Sequence, residues 1–398
     1  MKIAIVGGGV GGLTLARVLA VHGIEVVVYE REASRSARAQ GGMLDLHVET
    51  GQRALRIAGL ESEFLAIARR EGQDMRLLDP AGKILHQEDT PDDAPMARPE
   101  LDRSDLRAIL LDSLPEETIQ WGHALSNAEP AERAERAERA EAGERGEAGE
   151  RGERAERGEQ GGYRLRFTNG ATAECDLLVG ADGANSVVRP LLTDARPAHM
   201  GVNSVELGIP DADNTHPELA AMVGRGNYWA LGDGQHLAAQ RNGDGRIRVY
   251  LSFHGPEDWL ETCGIPFGEP EKARAALADL FRDWHPQYRE LIEACDDTVV
   301  PRALSALPIG LSWSAVPGVT LIGDAAHLMP PAGEGANLAM LDAAELALGL
   351  AADPANAVRT YELEMFERSA AAAKQSAEVH KLVMAGADAL LKFFTRTT

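Results

Sequence analysis

Short apolar runs alternate along the chain with stretches of helical periodicity, and the alternation predicts a mixed α/β protein. Ile3-Ala4-Ile5-Val6 reads as an apolar strand, the residues after Gly9 as a helix, and Val26-Val27-Val28-Tyr29 as a second strand. The same run-then-turn pattern returns at Leu177-Leu178-Val179 and at Val319-Thr320-Leu321-Ile322, the latter followed by an Ala/Leu-rich helix from Leu338 to Ala352. Between about 200 and 300 the rhythm changes. SVELGI, NYWALGD, HLAAQR and RIRVYLSF are short runs with β-branched or aromatic residues, and Asn242-Gly243-Asp244-Gly245 is a strong hairpin signal. From Tyr361 onward the pattern is helical again, with Val379, Leu382, Val383, Leu390, Leu391 and Phe394 forming an apolar stripe.

The first strand runs into Gly7-x-Gly9-x-x-Gly12, and the second strand ends in Glu30. Gly7 permits the tight turn, Gly9 lets backbone approach a pyrophosphate, Gly12 lets helix and strand pack closely, and Glu30 can accept from a ribose. The pyrophosphate would sit on the helix N-terminus, where unpaired N–H groups and the positive dipole end face it. In a chain with 41 glycines the glycine spacing alone is weak; strand, helix and terminal acid in place make it a dinucleotide-binding βαβ unit. The motif does not choose between NAD and FAD.

Two later stretches do. Cys175 to Arg189, CDLLVGADGANSVVR, ends a strand in Gly180-Ala181-Asp182-Gly183. Val319 to Asn337, VTLIGDAAHLMPPAGEGAN, delivers Gly323-Asp324 to a Gly/Pro-rich loop and then a helix start. Asp324 at a strand end can accept from a ribityl hydroxyl. Gly333 and Gly335 allow backbone to approach a flat ring, and the following helix N-terminus stabilises negative charge there.

With these three motifs in this order the chain resembles the FAD-dependent aromatic hydroxylases of the para-hydroxybenzoate hydroxylase class. Within that class it is similar to the tetracycline-inactivating monooxygenases through GGMLDLH (Gly41 to His47), GQRALRIAGL (Gly51 to Leu60), DRSDLRAILLDSL (Asp102 to Leu114), SFHGPEDW (Ser252 to Trp259) and GDAAHLMPP (Gly323 to Pro331). The resemblance implies a Rossmann-like FAD-binding domain (1–70, 101–200 and 300–352) interleaved with a β-sheet substrate domain (71–100 and 201–299), and a C-terminal helical segment (355–398) bridging both. It implies a reaction in which NAD(P)H reduces the flavin and O2 adds to give a C4a-hydroperoxide, which hydroxylates a phenol or enol. The cofactor would carry the hard chemistry, so no catalytic triad is expected and no catalytic side chain is assigned.

By the same resemblance Glu30 and Arg31 would hold the adenosine ribose, and Arg103 and Asp45 would contact the flavin. Asp182 belongs to the second motif, Asp324 would take the ribityl chain, and Pro331, Gly333, Gly335 and Asn337 would surround the isoalloxazine. Arg38 matches a position that contacts NADPH. Glu206, Asn227, Gln240 and Arg248 fall where the tetracycline-inactivating enzymes use Gln, Arg, Asn and His to hold the drug. These exchanges, and a loop at Pro330 to Gly333 one residue shorter, widen the expected substrate to a phenolic or enolic polycycle or polyketide. Arg248 could stabilise a phenolate or enolate, or serve as half of a structural ion pair.

Composition adds exclusions. The net charge of −22 argues against nucleic acid and anionic membrane as partners. Three cysteines without a C-x-x-C spacing suggest neither a flavin–disulfide enzyme nor a metal site. No signal peptide and no transmembrane span are expected, which leaves a cytoplasmic monomer as the reading. Residues 131–160 form a Glu/Arg low-complexity tract, expected to be a solvated insertion in a surface hairpin. The competing readings are a halogenase- or reductase-like flavoprotein, against which stands the lack of a paired Trp motif around Trp313, and a non-catalytic flavin or ligand binder.

Overall fold

The computed structural model describes residues 1–37, 41–131 and 162–397. The apolar runs assemble as a five-stranded parallel sheet in the order Val319–Leu321, Leu177–Gly180, Ile3–Val6, Val26–Tyr29, Ile119–Gln120. Strands covered on both faces read as continuous hydrophobic runs, and Ile3–Val6 and Leu177–Gly180 are buried throughout. One cover is a pair of helices, Val10–Val21 and Glu334–Ala352, that meet where Gly11 lies against Ala339. Tyr163, Leu165 and Phe167, from a three-stranded antiparallel meander (Leu125–Pro130, Tyr163–Phe167, Thr172–Cys175), join the same core. Among the described residues Glu334–Ala352 is also the one helix long and apolar enough to cross a membrane, and just over half of it is buried in this core.

The alternating segment forms a seven-stranded sheet, ordered Val300–Ala306, Ala198–Ile209, Ile247–His254, Gln235–Arg241, Asn227–Gly232, Met75–Leu78, Ile84–Glu88. The hairpin at Asn242 to Gly245 is present, with Gly245 at φ +80° and Asn242 N–H donating to the Arg246 carbonyl. Period two separates its faces. Val205, Leu207, Leu237, Ala239, Val249 and Leu251 point into an apolar core shared with the helices Pro270–Asp279 and Pro286–Glu293. The opposite face carries Glu206, Asn227, Gln240, Arg248 and Tyr250, since opposed residues in the register share a side.

The C-terminal segment is two helices rather than one. Ala357–Met384 is followed by Ala387–Thr397, and Gly386 at φ +93° makes the break that the apolar stripe ran across. The longer helix touches both sheets. Tyr361 donates to the Leu321 carbonyl, and the Met384 carbonyl accepts from Gly234 N–H. Leu382, Val383, Leu390 and Leu391 pack with Trp229 and Leu77 of the seven-stranded sheet.

Candidate functional site

The nucleotide end is built of backbone. Gly7 has φ +112°, and a Cβ there would lie 2.2 Å from the Ala181 carbonyl oxygen; a Cβ on Gly12 would lie 2.1 Å from the Gly7 carbonyl oxygen. A Cβ on Gly9 would meet no atom within 4 Å, so the middle glycine faces open space. The helix beginning there has no side-chain cap and no acid in its first turn, which leaves its N–H donors for an anion. A close-packed first and third glycine with an open second one is the shape a dinucleotide pyrophosphate requires.

Glu30 is buried, and its carboxylate accepts from Gly8 N–H at 2.6 Å and Glu32 N–H at 2.9 Å, so part of its capacity goes to holding the glycine loop. Arg31 is exposed beside it, and Arg38 lies outside the described residues. A residue the motifs did not mark completes this corner. Arg107, buried on the helix Arg103–Asp112, donates to the carbonyls of Gly8 and Arg35 and pairs with Glu32 at 3.1 Å. Its signal in the sequence was an arginine on the same helical stripe as Leu110 and Leu111.

Asp182 lies against Gly7, within 3.1 Å of its would-be Cβ. Its carboxylate accepts from Val187 and Val188 N–H, the other oxygen is buried without a partner among the described residues, and burial raises the group above the usual carboxylate range. Arg189 ties this loop to the next motif. It is 3% exposed and donates to the carbonyls of Gly183, Ala184, Asp324 and Ala325. Asp324 itself is exposed at the strand end, and its carboxylate faces Gly335 at 3.7 Å from a Cβ there.

Beneath Asp324 a buried charged chain holds the turn. Asp342, fully buried, accepts from Gly323 N–H at 3.2 Å and pairs with His327 at 2.6 Å and Arg368 at 2.9 Å. Burial pulls the His327 imidazolium down, but the Asp342 carboxylate outweighs it and holds His327 above its ordinary value. Sequence reasoning assigned neither residue. Trp313, weighed against a halogenase motif, is a core residue bonded to Glu362 at 2.9 Å.

Asp45 reaches Gly333 across the groove, 3.2 Å from a would-be Cβ, and bonds His47 at 2.9 Å. Gly333, at φ +88°, opens the helix Glu334–Ala352 without a side-chain cap. Pro331 lies on the exposed loop before it. The side chain of Asn337 is engaged by the protein itself. Its side chain is fully buried, accepts from His47 N–H, Thr50 Oγ and Gly51 N–H, and donates to the carbonyls of Asp45 and Gly333. These bonds tie the strand Met43–Asp45 and the turn after it to the start of the helix Glu334–Ala352.

The polar face of the seven-stranded sheet meets the chain just before the strand Met43–Asp45. A Cβ on Gly41 would lie 2.8 Å from both Arg248 Nη1 and Glu206 Oε1, and one on Gly42 would lie 2.8 Å from the Tyr250 hydroxyl. The four expected substrate residues share this face but bond largely to each other. Arg248 pairs with Glu206 at 2.6 Å, and Arg302 takes the other Glu206 oxygen at 3.2 Å. Gln240 donates to Asn227 at 2.8 Å, and Asn227 donates to Gly72 O and to Glu100. Glu100, buried opposite Asp45 in the strand pair, is pushed up to about 8 by burial and by Asp45, against Asn227 and Arg69. Arg103 N–H donates to the Gly42 carbonyl, which puts Arg103 where the groove and the sheet meet.

The sequence profile of the FAD binding domain matches residues 1–250 and 315–378. The chain is 30% identical over 396 residues to the monooxygenase asqM of Emericella nidulans, covering 87% of this chain and 83% of that protein. It is 30% identical over 408 residues to the 3-amino-4-hydroxybenzoate 2-monooxygenase of Streptomyces cremeus, covering 96% of this chain and 85% of that one. The crystal structure of tetracycline destructase Tet(51) has the same fold, with a TM-score of 0.66 over 96% of this chain and 91% of that one at 19% identity.

Proposed function

The chain belongs to the FAD-binding family of aromatic hydroxylases and is a flavin-dependent monooxygenase, and from that premise we propose that it hydroxylates a phenolic or enolic polycycle using NADPH and O2. The observation that carries this reading is a chain of close approaches. Gly7 lies against Asp182, Arg189 ties Gly183 to Asp324, Gly333 lies against Asp45, and Gly41 and Gly42 just before that strand abut the polar sheet face. Bound FAD supplies the reducing equivalents from NADPH and the activation of O2 that places one oxygen atom in the substrate.

The protein's own part is placement. The uncapped helix start at Gly9 would hold the pyrophosphate, with Glu30 and Arg31 at the ribose. Asp324 would accept from the ribityl hydroxyls, and the uncapped helix start at Gly333 would face the anionic pyrimidine end. Arg103 and Asp45 would line the boundary between flavin and substrate. The parallel strands carry one dinucleotide-binding turn among the described residues, which supports an NADPH that visits a surface groove, with Arg38 as its contact. The polar face of the seven-stranded sheet would receive the substrate, tetracycline being one candidate among wider phenolic polycycles. A cytoplasmic monomer completes the proposal.

The test measures NADPH consumption by the flavin-loaded protein with and without a panel of phenolic polycycles including tetracycline, with mass spectrometry of the products. Substrate-stimulated oxidation with gain of one oxygen atom is expected. Oxidation that no panel member accelerates, with only hydrogen peroxide formed, would remove the substrate assignment.

A further inference from the structure

The protein buries histidines in two different ways. His327 has the Asp342 carboxylate at 2.6 Å, whereas His236 and His380 have no such partner. His236 lies on Gln235–Arg241, in register with Leu231 and Ser252 and on the same face of the sheet as Gln240. The buried His380 meets it from the helix Ala357–Met384, close enough that a charge on one acts on the other. From the neighbouring strand the exposed His254 acts on His380 in the same way, while Ser252 is occupied by the Ser204 hydroxyl at 3.1 Å. Among the described residues no carboxylate acts on either imidazole. His236 Nδ1, His380 Nε2 and, on the same sheet face, Trp229 Nε1 are buried without a hydrogen-bond partner among the described residues.

The helix that carries His380 is held at two places of different character. Its near part is fixed to the parallel-sheet side, where Tyr361 donates to the Leu321 carbonyl, Glu362 accepts from Trp313 and Thr320, and Arg368 pairs with Asp342. Its far part rests on the seven-stranded sheet through His380, through Leu382 and Val383 against Trp229, and through the Met384 carbonyl that accepts from Gly234 N–H. We propose that the meeting of His236 and His380 is an acid-sensitive latch: protonation of either imidazole releases the far part of this helix, with the helix Ala387–Thr397 after it, from the sheet, while the near part stays bound. A cation there has no counter-charge, and two would repel each other. Burial, and then the charge of His380, pulls His236 down to about 4, and burial, and then His254, lowers His380 as well, so both are neutral at pH 7. Once released, each takes up a proton near the ordinary value of 6.5. The docked form therefore keeps its full stability above that value and loses it as pH falls from there toward the folded value. For His236 alone this favours the released form roughly thirtyfold between about pH 7.5 and about pH 5.

Hydrogen–deuterium exchange of the FAD-loaded full chain at those two pH values, corrected for the intrinsic pH dependence of amide exchange, tests the latch. Peptides covering 376–392 are expected to open at least about tenfold more often at the lower pH, while peptides from 357–368 and from the parallel strands keep their protection. In His236→Gln/His380→Gln neither side chain can take a proton, and the opening of 376–392 should no longer respond to acid. Ser252→Asp sets a carboxylate in register with His236, as Asp342 stands beside His327, and should shrink the response without removing either imidazole. Equal opening of 376–392 at both pH values in the wild type, acid opening that spreads equally over the parallel strands, or an undiminished response in either variant overturns the proposal.

Discussion

The groove along the parallel sheet presents mainly backbone to its ligand, whereas the seven-stranded sheet presents side chains. At Gly7, Gly9, Gly12 and Gly333 what matters is the absence of a side chain, and Arg189, Asp342 and Asn337 hold the turns at Gly183, Gly323 and Gly333 from the buried side. On the sheet the same side chains that would meet the substrate also hold one another, as Glu206 does with Arg248 and Arg302. A cofactor of fixed shape can be held by a frame that tolerates little change. A substrate wall can be altered residue by residue while the sheet's apolar face keeps the fold.

The comparison breaks most readily at Asp342. Replacing it with Ala removes the acceptor of Gly323 N–H and leaves His327 buried without its carboxylate, while the half-buried Arg368 keeps only Glu345. Losing one partner of a buried charged network costs about 3–5 kcal/mol. Asp342→Ala is therefore expected to purify with little flavin and to unfold at a clearly lower temperature, although the residue does not line the groove. Flavin absorbance per protein and a melting curve check this; full flavin occupancy in a variant of unchanged stability would mean that the groove does not depend on its buried supports.

Glu100 sits where the two regions join, opposite Asp45 of the flavin-side strand and bonded by Asn227 of the sheet. Its folded pKa, about 8, lies above its ordinary value of 4.5, so in the window between them the folded protein keeps a proton that the unfolded chain releases. Stability from this group is full at low pH and is lost as pH rises through the folded value. Glu100→Gln fixes the neutral form. Its stability should match the wild type near the lower end of the window and exceed it by on the order of a few kcal/mol above the upper end. Melting temperatures across that range decide it, and a constant difference between the two proteins would show that Glu100 is not the group titrating at the seam.

The same contrast explains what could be read from the sequence. Glycine turns and strand-end acids leave local signatures, so the glycine turn after the first strand, the Gly323-Asp324 turn and the alternating sheet were visible in the spacing. Asn337 and Asn227 join segments far apart in the chain, and no local pattern announces that a buried amide will be filled by protein or that Glu100 will lie beneath it. The break at Gly386 was hidden because apolar spacing continues across it. Arg38 and the tract from Glu132 onward lie outside the described residues, so neither expectation meets a structural observation.

The smallest effect is expected from that tract, and the reason is in the strands that flank it. Pro130 pairs with Tyr163 in the meander, and Ala131 N–H donates to the Gly162 carbonyl, so the two ends of the insertion already stand side by side. A chain that leaves and returns between adjacent hydrogen-bonded residues needs only a turn to connect them. Loop-closure entropy grows only with the logarithm of length, so replacing residues 132–161 by a short Asn-Gly turn should stabilise the protein by only about 2 kcal/mol. Flavin content and NADPH oxidation should be unchanged, because Ala128 and Leu165 of the meander stay packed in the core behind the parallel sheet. A shortened protein that loses flavin would give the tract a role in the groove, and the division between a rigid cofactor frame and an adjustable substrate wall would then need a third part.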